Sequence, residues 1–309
     1  MKRLGIVLLL LSAIAMGQEV KNPDKIKIGI TQIMEHQALD STRIGFEKAL
    51  KENGYGKVKI DYQNAQGDFN TSQMIANSFV QDKKDLIYAI STPSAQSAYN
   101  VTKEIPILIT AVTDQKAAGL IGDNITGTSD ATPISKQLET IIEVLPKVKK
   151  IGIIYNTSEQ NSQVQVANAK EESKKLGLEI IEVGATNVNE VAMGLDSLLD
   201  KIDVLYTPTD NLVVSATPLV LDKANKKNIP VIGCIEDQVV QGALITNTID
   251  YEKLGYQTGE IAIRVLKGEE PKNIPVETLK DTQIIVNKKV AEKYKVDLTS
   301  EALKGAKIY

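Results

Sequence analysis

The chain has 309 residues, 42% of them hydrophobic and 24% charged. That composition leaves material for two sizeable cores and excludes intrinsic disorder as the main state. Lys and Arg number 36 against 39 Asp and Glu, a formal net charge of −3, which speaks against a protein that holds nucleic-acid phosphates. One His (His36) and one Cys (Cys234) permit neither an internal disulfide nor a Cys/His zinc site. A Ser-His-Asp triad would have to use His36, and no G-x-S-x-G or complete Walker A pattern is present. No cofactor and no metal is expected.

The chain opens on Lys2 and Arg3, then a run of 13 apolar or small residues from Leu4 to Met16. A membrane-spanning helix needs roughly 20. Residues 1–17 therefore read as a secretory signal, with cleavage expected after Gly17 and Ala15 as the second choice. No Cys follows to accept a lipid, so the expected location is periplasmic, without a lipid anchor.

The remainder alternates short apolar runs with helix-length segments, the mark of a parallel sheet. Strands are expected at 25–30, 58–62, 85–90 and 106–110. Helices are expected at 41–53, closed by Gly54, at 71–83, and from near Pro93. The pattern then restarts. Strands fall at 149–155, 178–183, 203–206 and 229–233, with helices at 161–176, at 188–199 and on through Lys227. A helix at 251–267 ends at Gly268, and a final strand falls at 282–286.

The halves echo each other. Asp85-Leu-Ile-Tyr88 matches Asp203-Val-Leu-Tyr206, and each is followed by a hydroxyl-Pro-hydroxyl triplet, Thr92-Pro93-Ser94 and Thr207-Pro208-Thr209. Ile105-Pro106-Ile107 and Asp114-Gln115 match Ile229-Pro230-Val231 and Asp237-Gln238. A near-constant offset of about 120 residues points to internal duplication. With crossings near 124–130, near 243–249 and before 282, the expected fold is α/β: two doubly wound, Rossmann-like lobes joined by three crossover segments. Lobe 1 would be 25–127 plus 250–281, and lobe 2 would be 128–249 plus 282–309. A ligand would sit at the carboxyl ends of the strands, where helix N-termini face a closable crevice.

Thr31-Gln-Ile-Met-Glu-His-Gln-Ala-Leu-Asp40 with Gly45-Phe46 resembles the opening motif of one family. These are ABC-transporter substrate-binding proteins of the type I, tryptophan/tyrosine-binding-like group. Ser91-Thr-Pro-Ser-Ala-Gln96, Ala111-Val-Thr-Asp114 with Ala118-Gly-Leu120, Gly127-Thr-Ser-Asp-Ala131, Tyr155-Asn-Thr-Ser-Glu159 with Asn161-Ser162, and Pro208-Thr-Asp-Asn211 extend the likeness in order along the chain. Gln115 departs from the Pro that the family commonly has there. The resemblance implies a non-enzymatic, monomeric carrier of an aromatic amino acid. Its partners would be that ligand, an ABC permease and the permease's ATPase. Receptors for a nucleoside, a flavin or a branched-chain amino acid share the architecture, and an exported enzyme on the same scaffold is the remoter alternative.

An α-amino acid presents a carboxylate and an ammonium. Thr92, Ser94 and the amides of Ala95 and Gln96, at a strand end and helix start, suit the carboxylate. Ala111 and Thr113 resemble the second contacting pair of amino-acid receptors of this fold. The ammonium needs an acid in a dry cleft. Asp130 and Asp210, both within family motifs, come first, and Glu236 or Asp237 follow. Asn156, Ser158 and Asn161 would close from lobe 2, while Gln32 and His36 would line the side-chain end. Capping is the competing role for Thr92, Ser94, Asp130 and Asp210. Cys234 reads as a small buried hydrophobe.

Overall fold

The computed structural model describes residues 22–279 and 281–309, so the expected signal peptide lies outside the described residues. The chain order is β1 (Lys27–Gln32), α1 (Gln37–Leu50), β2 (Lys59–Asn64), α2 (Phe69–Gln81), β3 (Leu86–Ile90), α3 (Thr92–Val101), β4 (Ile107–Val112) and β5 (Ile125–Ser129). Next come α4 (Ile134–Val144), β6 (Lys150–Asn156), α5 (Gln160–Lys175), β7 (Glu179–Ala185), α6 (Val188–Leu198), β8 (Val204–Tyr206), α7 (Asn211–Ser215), α8 (Thr217–Lys226), β9 (Val231–Ile232), α9 (Glu236–Gln241) and β10 (Ile245–Thr248). Then follow α10 (Tyr251–Leu266), β11 (Glu277–Thr278), β12 (Gln283–Val286), α11 (Lys288–Lys293) and β13 (Lys307–Ile308).

Two sheets result. The first runs β11-β5-β4-β3-β1-β2 and the second β13-β12-β10-β9-β8-β6-β7. Within each, the first five strands of the half take the same order: β2-β1-β3-β4-β5 in one and β7-β6-β8-β9-β10 in the other. These strands pair in parallel, and β12 is the antiparallel addition against β10. The chain passes between sheets after β5, after β10 and after β11. The segments near 124–130 and 243–249, expected as crossings, are largely strands: β5 and β10 complete their sheets before the chain leaves them.

The strands at the centre of each sheet are buried on both faces, so they read as unbroken apolar runs rather than alternation. Ile28, Ile30, Leu86, Ile87, Ile107 and Leu108 sit in the first core; Ile151, Ile153, Val204 and Tyr206 sit in the second. Helix α10 returns from lobe 2 to lie against α1, and its approach depends on glycine. A Cβ at Gly255 would fall 1.9 Å from the Thr42 carbonyl oxygen, and one at Gly45 would fall 2.0 Å from that of Glu252. Val214, Cys234 and Ile235 of lobe 2 join the first core, so the two lobes touch.

Candidate functional site

In each sheet the winding direction reverses at one point: between β1 and β3 in the first, and between β6 and β8 in the second. Crevices at the carboxyl ends of such strands are where doubly wound folds bind ligands. Four turns leave those points. After β1 comes His36, after β3 comes Ser91, after β6 come Asn156 to Glu159, and after β8 come Thr207 to Asp210.

A partly enclosed cavity lies between the lobes. His36, Leu39, Ala111, Thr113, Asp130 and Tyr251 line it from one side; Asn161, Asp210, Asn211, Val214 and Ile235 line it from the other. The lining mixes apolar surface with a few polar groups, and the two walls stand so close that about 10 Å³ remains between them. On the first side, Asp130 is 4% exposed and accepts from Thr113 Oγ1 at 3.0 Å and from the Tyr251 hydroxyl at 3.1 Å. Burial pushes its carboxyl above the ordinary range, against the pull of those two donors.

Ser91 and Ala111, at the ends of adjacent strands β3 and β4, hold φ of 85° and 50°. Non-glycine residues in that region carry strain, and such strain gathers at functional sites. The Ser91 kink turns the chain into α3, where the hydroxyls of Ser91, Thr92 and Ser94 are buried without a hydrogen-bond partner. Buried hydroxyls are nearly always paired, so three unpaired at one helix start are spare donors for an anion.

The lobe 2 side is a carboxylate network. Asp210 accepts from Asn156 N at 2.5 Å and Ser162 Oγ at 2.6 Å, and it caps α7 through Val213 N at 2.9 Å. Glu159 accepts from Asn156 Nδ2, Asn161 Nδ2, Asn211 N, Asn211 Nδ2 and Leu212 N. Among the described residues no Lys or Arg forms an ion pair with Asp130, Glu159 or Asp210; the ion pairs lie elsewhere. Because Asn211 gives its amide hydrogens to Glu159, its Oδ1 faces lobe 1 and accepts from His36 Nε2 at 3.2 Å. That assignment places the ring proton on Nε2 and leaves Nδ1 a bare acceptor, buried and unpartnered. Burial lowers the protonation of His36 below the ordinary imidazole range.

The cavity thus gathers His36, Ala111, Thr113, Asp130, Asn161 and Asp210. Thr92 and Ser94 do not line it; their buried, unpaired hydroxyls lie at the start of α3. Asn156 acts behind the wall, holding both Asp210 and Glu159. Five of the expected residues do not line the cavity and have other partners. Gln32 is buried, but its amide donates to Met34 O and Asp40 Oδ1 and so orders the β1–α1 turn. The Ala95 amide makes the first α3 bond, to Ser91 O at 3.0 Å, and is not available to a ligand. Gln96 rotates outward with the helix and donates to Ala118 O. Ser158 is exposed, and its N–H donates to Asn156 Oδ1. Glu236 is drawn to the surface by Lys307 Nζ at 2.5 Å and by the Tyr309 hydroxyl. Glu159 and Tyr251 were not foreseen as site residues. Glu159 ended a quoted motif, followed by Asn161-Ser162, and that cluster of polar residues after a strand was the available signal.

Two doubly wound lobes, three passages between them and a cleft of buried carboxylates and unpaired hydroxyls define a two-lobed solute-binding protein. The chain belongs to the ABC transporter substrate binding protein family, whose sequence profile matches residues 27–308. It is 53% identical over 283 residues to a tyrosine-binding protein of Clostridioides difficile, covering 88% of this chain and 82% of that one. An ABC domain from Streptococcus pneumonia in complex with L-Trp is 33% identical, with a TM-score of 0.89 over 92% of this chain and 99% of that one. The ligand-free, open structure of a substrate-binding protein with adhesive properties from Clostridium difficile is 50% identical, with a TM-score of 0.69 over the same shares. The higher structural score falls to the ligand-bound relative although its sequence is the more distant, so the lobes here are arranged more as in that complex. The fold is that of the type I periplasmic binding proteins.

Proposed function

We propose that this protein is the extracytoplasmic receptor of an ABC importer, and that it binds an aromatic amino acid, L-tyrosine first and L-tryptophan second. In this reading it is exported by a cleaved signal, is not lipid-anchored, works as a monomer, and passes its ligand unchanged to a permease driven by an ATPase. The observation that carries the reading is the pair Asp130 and Asp210, buried on opposite sides of one cavity with, among the described residues, no cationic side chain paired to them. A ligand ammonium supplies the missing charge, and the hydroxyls of Thr92 and Ser94 supply donors for its carboxylate. Leu39, Ala111, Val214 and Ile235 give the ring an apolar bed, and His36 Nδ1 is an acceptor for a phenol O–H or an indole N–H. The likeness to a tyrosine-binding protein supports the order of preference. Closure is favoured by the ligand because only the closed form offers both walls.

A thermal-shift screen of the mature protein against amino acids, nucleosides and flavins tests this. A ligand at 100 times its dissociation constant adds roughly 2.7 kcal/mol. Stabilisation by L-tyrosine or L-tryptophan is expected. Stabilisation by a nucleoside or flavin alone would replace the ligand and keep the architecture.

A further inference from the structure

Glu159 and Asp210 form one buried acidic pair. They are 2% and 1% exposed, and they leave adjacent strands of the same sheet. Asn156 bonds to both at once, through its N–H to Asp210 and its Nδ2 to Glu159 Oε1 at 3.0 Å. Consecutive residues of α7 divide between them: Asn211 and Leu212 give their N–H groups to Glu159, and Val213 gives its own to Asp210. Among the described residues, every hydrogen-bond donor to the pair is a neutral amide or hydroxyl. Two carboxylates so placed repel each other where little water screens them, and the cheapest relief is to keep a proton.

We infer that ligand binding at this cleft is linked to the release of one proton from Asp210. The inference rests on the α-amino acid reading above. Before binding, Asp210 carries the proton and donates it to Ser162 Oγ, whose hydroxyl rotates from donor to acceptor. When the ligand's ammonium arrives in the cavity that Asp210 lines, the ionised form gains a cationic partner and the proton leaves to the buffer. Ser162 Oγ then donates back across the same 2.6 Å. The site gains one negative charge as it gains one positive charge, so the buried charge is matched in both states. Burial first, and the charge of Glu159 second, push the Asp210 carboxyl up to about 7.

Other groups face this pair. His36 reaches Glu159 through Asn211, with Asp40 and Asp237 acting on it in turn. Asp130 and Tyr251 line the same cavity, and Cys234 lies near enough to feel both aspartates. Burial pushes the titrations of Tyr251 and Cys234 upward, so both stay neutral through the range concerned. Asp130, also raised, is the competing source of a proton, and His36 is the competing acceptor of one below neutrality.

Two measurements test the inference. Calorimetric titration with L-tyrosine at pH 7, in phosphate and in Tris, reads proton release from the dependence of the heat on the buffer. About half a proton per ligand is expected, with affinity about tenfold weaker at pH 6 than at pH 8. Release should persist in Asp130→Asn and His36→Gln, whatever their affinities, and vanish in Asp210→Asn. Carboxyl carbon NMR of the ligand-free protein reads the same proton without a ligand: one aspartate should titrate near neutrality. Glu159→Gln should lower that midpoint, which keeps the test open should Asp210→Asn fold poorly. Binding with no proton exchange, release that vanishes in Asp130→Asn instead, or an ordinary titration for every aspartate overturns the inference. A neutral-range aspartate in a protein that binds neither L-tyrosine nor L-tryptophan overturns the ligand reading, and the linkage with it.

Discussion

Tyr251, the first residue of α10, donates its hydroxyl to Asp130 Oδ2 across 3.1 Å, and so ties together two of the passages between the lobes. Asp130 follows β5 where the chain first leaves lobe 1, and Tyr251 stands where it returns after β10. The bond therefore fixes the relative position of two hinge segments and orients a carboxylate that lines the cleft.

Replacing Tyr251 by Phe should keep the packing and remove one of Asp130's two side-chain donors. A buried acceptor left short of a partner costs about 1–3 kcal/mol. The expected result is a lower denaturation midpoint with an unchanged denaturant slope. The Asp130 carboxyl should also titrate higher still, because a donor that favours its ionised form has gone. A variant as stable as the parent would mean that solvent reaches Asp130.

The His36–Asn211 bond joins the lobes directly, so closure should depend on pH. Burial depresses the imidazole's protonation when the lobes are together. A group whose protonation is depressed in one state stabilises that state above its ordinary pKa and ceases to do so as the pH falls. Closure should thus be at full strength above about 6.5 and weaken below it. Small-angle scattering of the ligand-free protein should show a larger radius of gyration at pH 5 than at pH 8. His36→Gln, which does not titrate, should lose the contribution made by this ring.

The contact of α1 with α10 should tolerate no Cβ at its centre. Gly255→Ala brings a methyl to within 1.9 Å of backbone, so one helix must move, and a loss of about 3 kcal/mol is expected. Gly177→Ala is the control. Its φ of 67° is unfavourable for alanine, but nothing stands within 4 Å, so backbone strain of about 1–2 kcal/mol is all it meets. Equal losses from the two substitutions would show that α10 can shift away from α1 at little cost.

The sheets were legible because their strands are apolar on both faces and punctuated by helix-length segments. What the period could not reveal was local. The helix expected to run through Lys227 is two, α7 and α8, divided at Ala216 because Pro218 opens α8 and cannot continue a preceding helix. Gln96 looked like a ligand residue from its place in a motif, yet its amide donates to Ala118 O, in the loop after β4. Glu236 looked available until the C-terminal strand brought Lys307 to it from 71 residues away. Glu159 was passed over in favour of Ser158, which proves exposed, because spacing within a loop does not say which residue folds inward. Its burial is decided by five donors, from Asn156, Asn161, Asn211 and Leu212, that no period predicts.

Export should be signal-dependent and free of lipid. Lys2, Arg3 and the short apolar run after them motivate this, as does the lack of any Cys before Cys234. Mass spectrometry of the secreted form should find an N-terminus near Gln18 and no acyl mass. Retention of Lys2 and Arg3 in the envelope fraction would show an uncleaved anchor instead.

The sequence contains no tryptophan, so excitation of the indole reports on the ligand and not on the protein. L-tryptophan titrated with this protein should shift its emission to the blue as the ring leaves water for the bed of Leu39, Ala111, Val214 and Ile235. Pre-loading with L-tyrosine should suppress the shift, and the concentration needed ranks the two ligands. Discrimination among rings should turn on His36. With its Nδ1 paired to a phenol or indole donor, phenylalanine would leave that acceptor unpaired, and rejection could reach about 10⁴-fold. His36→Leu removes the acceptor, so the ratio of tyrosine to phenylalanine affinity should collapse toward one while phenylalanine binding is kept. A ratio unchanged in His36→Leu would place the ring's polar partner elsewhere in the cleft. No indole shift, together with no stabilisation by tyrosine or phenylalanine in the thermal screen, would remove aromatic amino acids from consideration.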